Sequence, residues 1–120
     1  SSGSLGHGLP IAVGMALADR KKKVYCLISD GECAEGSIWE ALRIKQEQKI
    51  FNLFIFLNWN GYGAYKEIEE YQLIELKEMY AGHILVRKTN VEQLPFLKGQ
   101  NAHYKVMNEE EYEQAMEILK

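Results

Sequence analysis

Val24-Tyr25-Cys26-Leu27-Ile28, closed by Ser29-Asp30-Gly31, is the stretch on which the fold turns. Five consecutive apolar residues rich in strand formers, ended by turn residues, predict a short buried strand. Upstream, Gly3, Gly6 and Gly8 lead into Leu9-Pro10-Ile11-Ala12-Val13-Gly14-Met15-Ala16-Leu17-Ala18. A proline near a first turn and dense small apolar side chains predict a buried helix entered through a glycine-rich turn. Downstream, residues 37–49 carry Ile38, Leu42 and Ile44 at near-helical spacing, and residues 52–57 form a second continuous apolar run. Past a loop at 58–64, residues 65–80 read as a helix on Ile68, Tyr71, Leu73, Ile74, Leu76 and Met79, and His83-Ile84-Leu85-Val86 as a third strand. Residues 90–107 show no period. Asn108 with Glu111 three positions on then opens, in the manner of a capping box, a helix ending near Leu119. Strands alternating with helices predict an α/β domain, a parallel sheet flanked by helices, in which ligands bind beyond the carboxyl ends of the strands.

Composition bounds the function. At 120 residues, with 47% hydrophobic and 26% charged, the chain is expected to form one module, residues 1–120, with a core of its own. Net charge is −3, and the one basic run, Arg20-Lys21-Lys22-Lys23, falls at an expected helix end, where cations complement the helix dipole. An acidic chain with one such cluster argues against a nucleic-acid partner. Cys26 and Cys33 have neither the number nor the spacing of a zinc site or a disulfide framework, which favours a reducing, cytoplasmic setting. No stretch approaches the ~20 apolar residues of a membrane span. Ser1 opens the chain where a start methionine is expected, and residues 1–8 read as the middle of a domain, so a piece of a longer chain is expected.

The chemistry sits at two strand ends. Asp30 and Asn60 each follow a predicted parallel strand, and neighbouring strands would bring a carboxylate and an amide oxygen together. Two hard oxygen ligands suit magnesium, which keeps part of its octahedral shell for water or phosphate. Gly31 lets a backbone come close, and the amides of the turn at residues 3–8 lie where a helix N-terminus favours an anion. From spacing alone, Asp30-Gly31 and Asn60-Gly61 read at least as well as two ordinary turns, and the glycine pattern is neither a dinucleotide fingerprint nor a P-loop.

Three passages in order break the tie: Gly3-Ser4-Leu5-Gly6-His7-Gly8-Leu9, then Asp30-Gly31-Glu32-Cys33-Ala34-Glu35-Gly36-Ser37-Ile38-Trp39-Glu40-Ala41, then Asn60-Gly61. Together they resemble the diphosphate-binding module of the transketolase family of thiamine-diphosphate enzymes, with residues 1–63 carrying most of the match. The segment with Pro95 to Asn101, His103 and Asn108 to Tyr112 resembles the end of that module more faintly. The resemblance implies that Asp30, Asn60 and the carbonyl of Tyr62 bind Mg2+ or Ca2+. It implies that Gly3, Leu5, His7, Gly31, Glu32 and Asn60 line thiamine diphosphate, and that His103 reaches toward the diphosphate. Glu35 matches a glutamate at the interface between modules, where it supports the partner glutamate that activates the aminopyrimidine.

The family reading implies transfer of two-carbon ketol units between sugar phosphates, within a homo- or hetero-oligomer that includes a pyrimidine-binding module. The chain departs from the family pattern in three places. Ser29 stands for the first glycine of the usual Gly-Asp-Gly, about one supersecondary unit is absent between Tyr80 and His83, and Asn90-Val91-Glu92-Gln93 replaces a Gly-Lys-Gly loop. A truncated module without turnover of its own is therefore expected. The alternatives are a non-catalytic remnant serving assembly or regulation, and a different thiamine-dependent ketol or acyl transferase.

Overall fold

The computed structural model describes residues 3–63, 67–90, 93–102 and 104–118. It contains helix α1 (Gly8–Ala18), strand β1 (Val24–Ser29), helix α2 (Gly36–Glu47), strand β2 (Leu53–Trp59), helix α3 (Glu70–Met79), strand β3 (Ile84–Lys88) and helix α4 (Glu109–Ile118). Single-turn 3-10 helices cover Gly31–Ala34 and Gly99–Ala102. The three strands form one parallel sheet in the order β1-β2-β3, with Val24 opposite Leu53 and Ser29 opposite Asn58 on one side, and Ile55 opposite Ile84 on the other. The α/β class read from the alternation of apolar runs is thus the class observed.

Period-two alternation divides the sheet. Cys26 and Ile28 of β1 and Leu53, Ile55 and Leu57 of β2 are buried, with Ile84 and Val86 packed beside them. The core they enter is completed by Leu9, Ala12, Val13 and Ala16 of α1, Ile38, Ala41 and Leu42 of α2, and Leu73 and Leu76 of α3. The opposite face carries Tyr25, 63% exposed, and Leu27, 73% exposed, beside the exposed Phe54 and Leu85. The unbroken apolar run of β1 predicts a buried strand, and the structure buries only one of its sides. Cys26 and Ile28 are buried as expected, while Tyr25 and Leu27 stay exposed because no described helix packs on the second face.

Two other boundaries move. The helix expected over residues 65–80 begins at Glu70: Tyr62 bridges Glu67 antiparallel, Ile68 N–H donates to the Gly61 carbonyl at 2.9 Å, and Glu69 is extended. The loop after β2 thus holds the residues that a local reading assigns to a first helical turn. The basic run lies past the end of α1, whose C-cap is Asp19. Arg20 instead donates to the carbonyls of Gln48 and Lys49 beyond α2, so it satisfies the end of a different helix. The capping box forms: Glu111 N–H donates to Asn108 Oδ1 at 2.9 Å, and Asn108 N–H to Glu111 Oε2 at 3.0 Å. No described helix is long and apolar enough to cross a membrane.

Candidate diphosphate and metal site

Parallel register puts the ends of β1 and β2 side by side, since Asp30 N–H continues the ladder to the Asn58 carbonyl at 3.1 Å. Asp30 is the centre of the site. It is 1% exposed and accepts three backbone hydrogen bonds: Gly31 N–H at 2.9 Å on Oδ1, and Asn60 N–H at 3.0 Å and Gly61 N–H at 2.6 Å on Oδ2. A buried carboxylate without such donors would be costly. These donors hold the loop after β2 against the end of β1, 30 positions apart in sequence. Asn60 turns its Oδ1 to the Tyr62 N–H at 2.8 Å, closing a local turn.

The glycine-rich turn is fastened to the same place. Gly6 has φ +78°, and a Cβ there would stand 2.7 Å from both Glu35 Cβ and Ser37 Oγ, so both the conformation and the contact demand glycine. Ser37 Oγ donates to the Gly6 carbonyl at 3.0 Å. Glu32 completes the join, accepting Gly6 N–H at 3.3 Å on Oε1 and Ser29 N–H at 2.9 Å on Oε2. The result is three segments, residues 3–8, 30–35 and 60–63, gathered beyond the carboxyl ends of β1 and β2.

Within this cluster Gly3 has φ +66° and open space around it. Leu5 is 55% exposed, and His7 is the exposed N-cap of α1 with no side-chain cap bond. Gly31 faces Gly63, a Cβ there falling 3.6 Å from Gly63 Cα, an ordinary contact. Glu35 occupies the N-cap position of α2 without capping it; its stem packs on Gly6. His103 lies outside the described residues.

The donor set fits a hard cation. Asp30 has about four lone-pair sites and uses three, while Asn60 Oδ1 uses one of its two. Oxygen from a carboxylate, an amide and a main-chain carbonyl is what Mg2+ or Ca2+ accepts. Among the described residues no three His, Cys, Asp or Glu side chains gather into a metal cluster, so a cation held here leans on amide and main-chain oxygen and on the oxygens of its ligand. Cys33 is no competitor: burial first, then Asp30 and Glu32, push its thiol up to about 12, and its Sγ donates to the Ser29 carbonyl. It stays a protonated core group.

Sequence reasoning missed the cleft next to Asn60. It measures about 630 Å3 and is lined by Trp59, Tyr62, Ile68, Glu70, Lys88 and Thr89 among others. Lys88 lies 4.8 Å over the Trp59 ring and 3.4 Å from Glu70. Thr89 hydrogen-bonds Asn58. Nothing local marks Trp59 and Lys88 as neighbours, because β2–β3 register brings them together.

Comparison with known proteins assigns the fold. A family model described as the C-terminal TPP binding domain of thiamine pyrophosphate enzymes matches residues 1–120. The chain belongs to that family. Among its relatives, the human transketolase is 36% identical over 115 residues, covering 86% of this chain and 18% of that protein. One subunit of the apulose-4-phosphate transketolase of Actinobacillus succinogenes is 47% identical over 64 residues, covering 50% of this chain and 23% of that protein. Its counterpart in Phocaeicola vulgatus is 38% identical over 79 residues, covering 62% of this chain and 28% of that protein. The chain is a transketolase-like TPP-binding module and spans between 18% and 28% of the length of these relatives.

Proposed function

We propose that the chain binds thiamine diphosphate through Mg2+ or Ca2+ held by Asp30, Asn60 and the Tyr62 carbonyl, and serves as the diphosphate half of an enzyme that moves two-carbon ketol units between sugar phosphates. The observation that carries this reading is the Asp30 carboxylate, buried and bonded to the loop that presents Asn60. When bound, the cofactor supplies the electron sink that ketol transfer needs. The chain's own groups bind and orient. Gly3, Leu5, His7 and Gly31 border the cofactor on the side of the glycine-rich turn, where the amides at the start of α1 favour an anion. Glu32 keeps that turn against β1, and His103 is the histidine that would reach toward the diphosphate.

Activation of the aminopyrimidine falls to a second, pyrimidine-binding module, which Glu35 meets at the interface. The names of the relatives support a partner, since two of them are single subunits of a transketolase. The test titrates the chain with a pyrimidine-binding module and follows ketol transfer from a donor sugar phosphate. Turnover is expected only with the partner, cofactor affinity rising alongside because both stabilise one assembled state. Glu35→Ala should blunt that rise while leaving metal-dependent binding by the chain alone nearly unchanged. Turnover by the chain without a partner would contradict the two-module reading.

A further inference from the structure

We propose that Glu32 is a positioning residue that couples the cation site at Asp30 and Asn60 to the glycine-rich turn, so that the turn is set for the cofactor once a cation is held. This rests on the reading of Asp30 and Asn60 as a cation site, and adds an order of binding to it. Two carboxylates do the joining. The loop after β2 hangs on Asp30, through the Asn60 and Gly61 N–H groups, and the turn at residues 3–8 hangs on Glu32, through the Gly6 N–H. A single 3-10 turn, Gly31–Ala34, carries both grips, with Asp30 as its N-cap and Glu32 in its first turn.

That short turn is tied at both ends. Gly31 N–H donates to Asp30 Oδ1 at 2.9 Å, Cys33 N–H to the Asp30 carbonyl at 3.1 Å, and Glu35 N–H to the Glu32 carbonyl at 2.9 Å. Trp39 closes the far end, its Nε1 donating to the Cys33 carbonyl at 2.9 Å, and Cys33 itself is buried. Hydrogen-bond networks on a rigid element are what carry a displacement from one site to another. A pull on Asp30 and on the loop bonded to it is therefore felt at Glu32, two positions along the same bracket.

Glu32 uses both oxygens on the join. Oε1 accepts the Gly6 N–H at 3.3 Å, and Oε2 accepts the Ser29 N–H at 2.9 Å and the Ser29 hydroxyl at 3.3 Å. That hydroxyl comes from the residue standing where the family pattern has glycine. Among the described residues no salt bridge involves Glu32, so N–H and O–H donors are what hold its carboxylate. Gly6 is gripped from two sides: Ser37 Oγ ties its carbonyl to α2, and its N–H is the link toward Asp30. At 3.3 Å that link is longer than each N–H bond on Asp30 and than the usual 2.9–3.0 Å. The turn thus has room to tighten, and its exposed Leu5 and Gly3 move with it.

The test is amide exchange of the full chain with Mg2+ alone, against chelator, with neither cofactor nor turnover involved. Slowing at Asn60 and Gly61 reports the cation, and slowing at Gly6 reports the coupling. Both are expected in the wild type, the second by at least about fivefold. Glu32→Gln keeps the length of the side chain and one acceptor, but its NH2 must face the N–H of either Gly6 or Ser29. In that variant Mg2+ should still slow Asn60 and Gly61, while Gly6 no longer responds. A Gly6 response surviving in Glu32→Gln would overturn the proposal, and so would loss of slowing at all three amides, which would put Glu32 among the cation's own ligands. The wild-type comparison needs no variant to fold: slowing at Asn60 and Gly61 without Gly6 would overturn the coupling and leave the cation site standing, whereas no slowing at Asn60 and Gly61 would overturn the cation-site reading and the coupling with it.

Discussion

Replacing Asp30 by Asn puts an amide NH2 where a carboxylate oxygen now accepts one or two backbone N–H groups. Whichever way the amide turns, a donor meets a donor, so the variant should lose about 1–3 kcal/mol of stability before any ligand is added. Urea denaturation checks this, and an unchanged midpoint would show that the three bonds hold nothing. Gly6→Ala meets two obstacles at once, the positive φ and the 2.7 Å approach to Glu35 and Ser37, and should cost about 1–3 kcal/mol, read the same way. His83 binds its proton less readily than its ordinary value of 6.5, burial acting first and Lys45 second. The unfolded chain then takes up the proton more easily, so the associated stability is present above that value and lost as pH falls through the depressed one. The urea midpoint should drop between about pH 7.5 and about pH 5.5, and His83→Gln should flatten that drop; equal slopes would contradict it. Asp30 and Asn60 could be read from the sequence as strand-end groups. Their grip on each other could not, since it depends on which strands are neighbours.

At the scale of elements, what could be read locally was read. β1 and β2 are apolar runs with turn residues after them, and the box of Asn108 and Glu111 is a contact three residues long. Asn108→Ala should weaken α4 by about 0.5–2 kcal/mol. Because α4 has no extended packing on any described strand or helix, the loss should appear as faster amide exchange in α4, with exchange in the sheet unchanged. Exchange unchanged in α4 would contradict it. Residues 67–69 show the limit of local reading: their spacing suits a helix, but the bond from Ile68 to Gly61 draws them into the loop that carries Asn60. Exposure of Tyr25 and Leu27 shows the same limit for a strand, because an apolar run does not reveal whether both of its sides have a neighbour.

The described residues form a sheet with α1, α2 and α3 on one face and a candidate site at the carboxyl ends of the strands. It matches a TPP-binding family along its full length and fills less than a third of each relative described here. Cofactor binding is the step that separates a working module from a fold kept for assembly, and calorimetric titration with thiamine diphosphate measures it directly. With Mg2+ present the chain should bind, with a chelator it should not, and Asn60→Ala should weaken the Mg2+-dependent affinity at least about tenfold, as removal of a metal partner does. Affinity that is the same with Mg2+, with chelator and in the Asn60→Ala variant would contradict the assignment of Asp30 and Asn60 to a metal and diphosphate site.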